Sequence, residues 1–151
     1  MKILILYSTF TGNTQEAASA LHEILREELP EHAYALANVR DIPIKKILEY
    51  PVVIFGTSTW EDENSPDTEK FISALREIVP DFSRITFALF GLGDSAFLNF
   101  CAAVPLVRDA LILCHARVYK EIFTIDGYPT QEATKDLGVW ATAFLEQLKA
   151  V

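Results

Sequence analysis

A chain of 151 residues that is 50% hydrophobic, with 6 Gly and 7 Pro, has the composition of one globular domain with a substantial core, and not of a disordered or fibrous chain. Its formal net charge of −8 disfavours nucleic acid, which wants a basic face, and leaves two readings of the acidity: attraction to basic partner proteins, or solubility alone. No apolar run approaches the roughly 20 residues of a membrane helix. Met1-Lys2-Ile3 opens a short apolar run without a small-residue cleavage site, so the expected location is the cytoplasm.

Taken in order, Ile3 to Tyr7 reads as a buried strand and Gly12 to Leu29 as a helix, with Ala17, Ala18, Leu21, Ile24, Leu25 and Leu29 recurring every three or four positions. Ala33 to Val39 is a weaker strand, and Ile42 to Tyr50 a short helix opened by Pro43. Pro51 to Thr57 is a second continuous apolar strand. The helix after it has Ser65 as N-cap, Pro66 in the first helical position and Phe71, Leu75 and Ile78 on its apolar face. Ile85 to Phe90 is another buried strand, Phe100 to Leu113 a helix, Arg117 to Ile125 the fifth strand, and Thr130 to Lys149 the closing helix. Cys101 and Cys114, placed in one helix and thirteen residues apart, would be roughly 20 Å from each other, too far for a disulfide. The three histidines are scattered, and no metal site is expected.

Continuous apolar strands alternating with amphipathic helices indicate a parallel sheet covered on both faces, and right-handed crossovers make it a three-layer α/β/α sandwich. One domain accounts for residues 1–151. In such a sheet a ligand binds beyond the carboxyl ends of the strands, where the strand order reverses. Three polar loops follow apolar strands there: STFTGNT, STWEDENSPD and GLGDSAFLNFC. In the first, Thr9, Thr11, Asn13 and Thr14 are compact donors. Gly12 lets backbone approach a ligand, and the loop runs into a helix N-terminus, a natural anion site. The plain alternative is a helix cap rich in Thr. Neither GxxxxGK[ST] nor GxGxxG is present, so the donors are neutral ones, as suits a phosphate monoester that never leaves or reacts. In the second loop Trp60 stands among Glu61, Asp62, Glu63, Asn64 and Ser65, and in the third Phe97 follows Gly93-Asp94-Ser95. Two aromatics on adjacent loops fit a planar ring system. Phosphate and rings together describe flavin mononucleotide (FMN).

These residues resemble the flavodoxins. The pattern [ST]-x-T-G-x-T is met by Thr9-Phe10-Thr11-Gly12-Asn13-Thr14, the pattern T-x-T-W by Thr57-Ser58-Thr59-Trp60, and G-x-G-D-S-x-aromatic by Gly91 to Phe97, followed by Phe100-Cys101. The similarity spans the chain, and the fifth strand lacks the long insertion of the long-chain group. The resemblance implies a five-stranded sheet in the order 2-1-3-4-5, the order known for flavodoxins, with FMN at the switch point. It also implies the site: Thr9 to Thr14 and Ser58 around the phosphate, Thr59 and Trp60 behind the inner ring face, Phe97 on the outer face, and the backbone of Asp94, Asn99 and Cys101 at the pyrimidine edge. Cys101 would act through its main chain, without thiol chemistry. The function implied is low-potential one-electron transfer between a reductase and acceptor enzymes, by a monomer without substrate turnover of its own.

Three positions depart from the family's habit. Phe97 stands where many members have Tyr. Glu61 stands where many have Gly; the family flips that peptide on one-electron reduction, so a Cβ there is expected to make the neutral semiquinone less stable. Pro105 falls where the fourth helix should be under way. Glu61, Asp62, Glu63, Asp67 and Asp94 near the ring edge are expected to lower the potential and to offer a docking face to a basic partner, the alternative being a solvated loop. Phe10, between two threonines, is expected to point outward toward a partner. The rival readings are an FMN-dependent quinone reductase, which would need a substrate pocket beside the flavin, and an FMN-binding accessory protein. A signalling receiver domain is argued against by Tyr7-Ser8-Thr9, where that reading wants paired acids.

Overall fold

The structure, a computed structural model, describes residues 1–149. The chain runs β1 (Lys2–Tyr7), α1 (Asn13–Glu28), β2 (Ala33–Asn38), a 3-10 turn (Val39–Asp41), α2 (Ile44–Ile47), β3 (Val52–Trp60), β4 (Glu63–Asn64), α3 (Pro66–Ile78), β5 (Thr86–Gly93), α4 (Ala103–Leu113), β6 (Arg117–Val118), β7 (Phe123–Asp126) and α5 (Gln131–Lys149). The lanes of the sheet lie in the order β2-β1-β3-β5, with β6 and β7 sharing the fifth lane, and all these pairings are parallel. In sequence order that is the expected 2-1-3-4-5.

The unbroken apolar runs follow from burial on both faces, because successive side chains of a strand point to opposite sides. Leu4 and Leu6 of β1 join Val53, Phe55, Phe87 and Leu89 in a core closed by Phe71 and Leu75 of α3 and by Val104, Val107 and Leu111 of α4. The alternate residues Ile3, Ile5 and Tyr7 join Val52, Ile54, Ala88 and Phe90 in a second core, closed by Ala17, Leu21 and Leu25 of α1 and by Leu137, Ala141 and Phe144 of α5.

The structure corrects several boundaries, and each correction has a local cause. β3 and β5 run three residues past their expected ends, to Trp60 and Gly93, because their pairing continues through Thr59↔Gly93. Part of two expected loops is therefore strand. The helix expected from Phe100 begins at Ala103, so Pro105 is its third residue. The first four N–H groups of a helix have no intrahelical partner, so a proline there costs no hydrogen bond. Neither cysteine lies in that helix: Cys101 precedes it, Cys114 follows it, and both are buried free thiols. The region expected as one helix from Ile42 to Tyr50 holds a single α turn, Ile44–Ile47, and the 3-10 turn Val39–Asp41 precedes it.

The fifth strand is not continuous. Its pairing offset to β5 grows from 31 residues at Phe87↔Val118 to 33 at Phe90↔Phe123, so two extra residues bulge between β6 and β7. Trp140 holds the bulge by donating its indole N–H to the Glu121 carbonyl at 2.8 Å.

Gly56 marks where the two central strands pack tightest. A Cβ there would stand 2.2 Å from the Phe90 ring, which is fully buried and has no space to withdraw. Gly56→Ala is expected to lower stability by about 1–3 kcal/mol, read as a shift of the urea midpoint with unchanged slope.

Candidate functional site

The loops after β1, β3, β5 and β7 meet at one edge of the sheet. Gly12 closes the first of them with φ 98°, a left-handed conformation that glycine takes at no steric cost. Its N–H is donated to Thr9 Oγ1 at 2.8 Å, which fixes the turn. No side chain caps α1, so its first N–H groups open toward the loop. Thr14, in the first turn, is fully buried, and its hydroxyl has no hydrogen-bond partner. The same holds for the hydroxyls of Thr57 and Ser58 at the end of β3. Buried hydroxyls without protein partners are rare, and three at one helix end leave acceptors or donors free for a bound group or water. An anion with several acceptor oxygens would take all three together with the helix N–H groups. Thr57 was read from sequence only as the first residue of the T-x-T-W pattern, without a place in the site.

Beneath this lies a set of hydroxyls of which the sequence showed only Ser65, as the N-cap of α3. Thr68 Oγ1 donates to Ser8 Oγ at 2.7 Å, Ser8 and Ser65 hydroxyls are 2.8 Å apart, and Thr68 N–H is donated to Ser65 Oγ at 3.4 Å. All three residues are fully buried. They tie the end of β1 to the start of α3 and so fix the gap between β1 and β3.

The second loop is a hairpin. Trp60 pairs with Glu63, and the two residues between them, Glu61 and Asp62, have φ of 50° and 63°. Positive φ at both positions is the mark of a two-residue type I′ turn, which normally selects Asn and Gly. A Cβ in this region costs about 1–2 kcal/mol, and both residues of this turn carry one. The Thr59 hydroxyl is committed to the frame: it accepts from Ala103 N–H at 3.0 Å and donates to Asn64 Oδ1 at 3.0 Å.

The third loop is held at both ends. Asp94 makes a local turn, its Oδ1 accepting from Ala96 N–H and its carbonyl from Phe97 N–H. Asp126 accepts from Ser95 N–H at 3.0 Å and from the Ser95 hydroxyl at 2.5 Å, and Gly127 N–H is donated to the Gly93 carbonyl at 2.7 Å. Asn99 N–H, expected at a pyrimidine edge, is instead donated to Asp62 Oδ1 at 2.8 Å. Cys101 has φ 53° and packs under Gly93, where an added Cβ would lie 3.0 Å from the Cys101 nitrogen. Burial, with the Asp126 charge second, pushes the Cys101 thiol up to about 12, so it stays protonated near neutral pH.

Between these loops is a cleft of about 450 Å³, within the usual range for small-molecule sites. Phe10, Thr11, Asn13, Trp60, Glu61, Glu63, Asp94, Phe97, Gly127 and Tyr128 line it. Phe10 is therefore a wall of the cleft, although 42% exposed, and not simply an outward residue. Of the other expected residues, Thr14, Ser58, Thr59, Gly93 and Cys101 are buried beneath, Thr9 and Gly12 shape the first loop, and Asp62 and Asn99 form the bridge between loops. Asp126, Gly127 and Tyr128 were missed. Asp-Gly directly after an apolar strand was the available signal, since that strand opens on the same edge. The acids of the cleft take part in none of the ion pairs among the described residues.

Residues 5–139 match the family model for flavodoxin. The chain belongs to the flavodoxin family. Membership makes it an FMN-binding electron carrier that works with redox partner proteins. It is 30% identical over 149 residues to the flavodoxin of Maridesulfovibrio salexigens, covering 97% of this chain and 99% of that one. It is 31% identical over 146 residues to probable flavodoxin 1 of Bacillus subtilis, covering 95% and 90%. Among solved structures, oxidised flavodoxin 2 from Bacillus cereus superposes with a TM-score of 0.86 at 30% identity, covering 97% of this chain and 99% of that one.

The bonds from Ser95, side chain first and backbone second, hold the Asp126 carboxyl below its ordinary value. A group whose folded pKa is depressed contributes stability above its unfolded pKa, about 3.9, and loses it as pH falls through the folded value. The Ser95 amide resonance is therefore expected to titrate with Asp126 below pH of about 3.9. Ser95→Ala should return that titration toward the ordinary range in the same NMR experiment.

Proposed function

We propose that residues 1–151 act as one FMN-binding domain, a low-potential one-electron carrier without substrate turnover of its own. The observation that carries the placing of the cofactor is the trio of partnerless buried hydroxyls, Thr14, Thr57 and Ser58, at the uncapped end of α1. These neutral donors fit a phosphate monoester. The adjoining cleft, walled by Trp60 and Phe97, fits flat rings. FMN, when bound, supplies the one-electron chemistry.

The chain's own residues do the rest. Thr9 and Gly12 shape the anion loop, and Asn13 and Thr14 start the helix whose N–H groups face the phosphate. Trp60 and Phe97 cover the rings and keep water from them. The Cys101 N–H, which has no partner among the described residues, is the donor left for the pyrimidine edge. Glu61, Glu63 and Asp94 on the cleft wall oppose negative charge on the rings and so disfavour an added electron.

The same acids, together with exposed Phe97 and Leu98, form the face on which a basic redox partner docks. No helix among the described residues is long and apolar enough to cross a membrane. Separately, and on the family resemblance alone, we propose a cytoplasmic monomer.

The purified protein is expected to be yellow or to take up added FMN, as followed by flavin fluorescence. Thr14→Val and Ser58→Ala should each weaken FMN about tenfold or more, and weaken riboflavin, which lacks the phosphate, far less. A protein that binds no FMN would sink the reading, and equal losses for both flavins would misplace the phosphate. For docking, the rate of electron transfer from a reductase should fall by about tenfold or more between low and high salt. A salt-independent rate would remove the acidic face from the encounter.

A further inference from the structure

The bond between Asp62 and Asn99 is out of keeping with a purely electrostatic role for the acid. Its 2.8 Å length links residues 37 positions apart and is the contact by which the hairpin after β3 reaches the peptide of the loop after β5. That loop has no regular structure from Asp94 to Ala102. At its near end Asp126 takes two hydrogen bonds from Ser95, and at its far end Asn99 O accepts from Ala102 N–H at 3.1 Å. Phe97 lies two residues before the bonded peptide and Cys101 two after it.

We propose that Asp62 is a positioning residue for the ring site: its carboxylate, carried across by the Glu61-Asp62 turn, pins the Asn99 peptide and so sets Phe97 against Trp60. This rests on the FMN reading above and adds a role for one acid that its charge does not supply. The turn is part of the device. With φ 63°, Asp62 directs its side chain toward the neighbouring loop while Trp60 and Glu63 stay paired in the hairpin. The second carboxylate, Asp126, holds the same loop from the other side, so the loop is strung between two acids from two different strand ends.

Two substitutions separate the pin from the charge. Both Asn and Gly accept a left-handed backbone, and both remove the negative charge, but only Asn keeps an oxygen acceptor at this position. In the FMN-loaded protein, Asp62→Gly is expected to release FMN about tenfold faster than Asp62→Asn, the worth of one such hydrogen bond. Equal release rates would show that only charge matters and would overturn the proposal. The pin itself is read without flavin, as slowed hydrogen exchange of the Asn99 amide in the full-length protein. Protection kept in Asp62→Asn and lost in Asp62→Gly supports it. An Asn99 amide that exchanges equally fast in wild type and Asp62→Gly overturns it. A chain that binds no FMN but shows the protected amide would fail the carrier reading and leave the pin standing.

Discussion

The cleft depends on β1 and β3 being buried on both faces while their crossovers leave in opposite directions. Once both cores are closed, the two strands can end only at the same sheet edge, and no helix can cover the gap between them there. The buried hydroxyls of Ser8, Ser65 and Thr68 fill that gap at its base. They hydrogen-bond one another, so they add polar atoms to the interior without leaving them unsatisfied. A hand's breadth of sequence away, Thr14, Thr57 and Ser58 do the opposite, keeping buried donors unspent among the protein's own groups. The contrast between a closed hydroxyl set and an open one, side by side, is what makes the open one read as a binding surface.

Charge is divided along the same edge. The proposed phosphate end offers backbone N–H groups and neutral hydroxyls, which would hold a dianion without a mobile cation that could compete for other partners. The ring end carries the acids. An anionic cofactor placed as proposed would be gripped at one end and electrostatically opposed at the other, where its electron arrives. On that placement the opposition acts on the reducible part and not on the anchor, so binding and potential would be adjusted by different residues.

Much of this was legible in sequence because it rests on short-range rules. Ile3 to Tyr7 and Val52 to Phe55 read as doubly buried strands because period-2 side chains on both faces were apolar. Gly12 and Ser65 marked their helix starts by backbone freedom and capping chemistry. What was hidden came from pairing between distant segments. The split of the fifth strand depends on Trp140 reaching Glu121, which no local pattern around Arg117 to Ile125 reveals. The acid-rich stretch after Trp60 looked like a solvated loop because Glu-Asp is a poor sequence for a two-residue hairpin, and because Asp62 answers to Asn99 rather than to its neighbours. Asp126 was passed over for a similar reason: its partner Ser95 is 31 residues away.

Cys101 gives the site a property apart from cofactor geometry. Peroxides attack thiolates far faster than thiols, and reduced flavins exposed to air are a source of peroxide. A cysteine that is 5% exposed, its thiol pushed up to about 12 by burial, is a poor target for such oxidants. It could therefore line the proposed redox centre as inert packing, and the cradle would not be slowly consumed by the by-products of its own electrons.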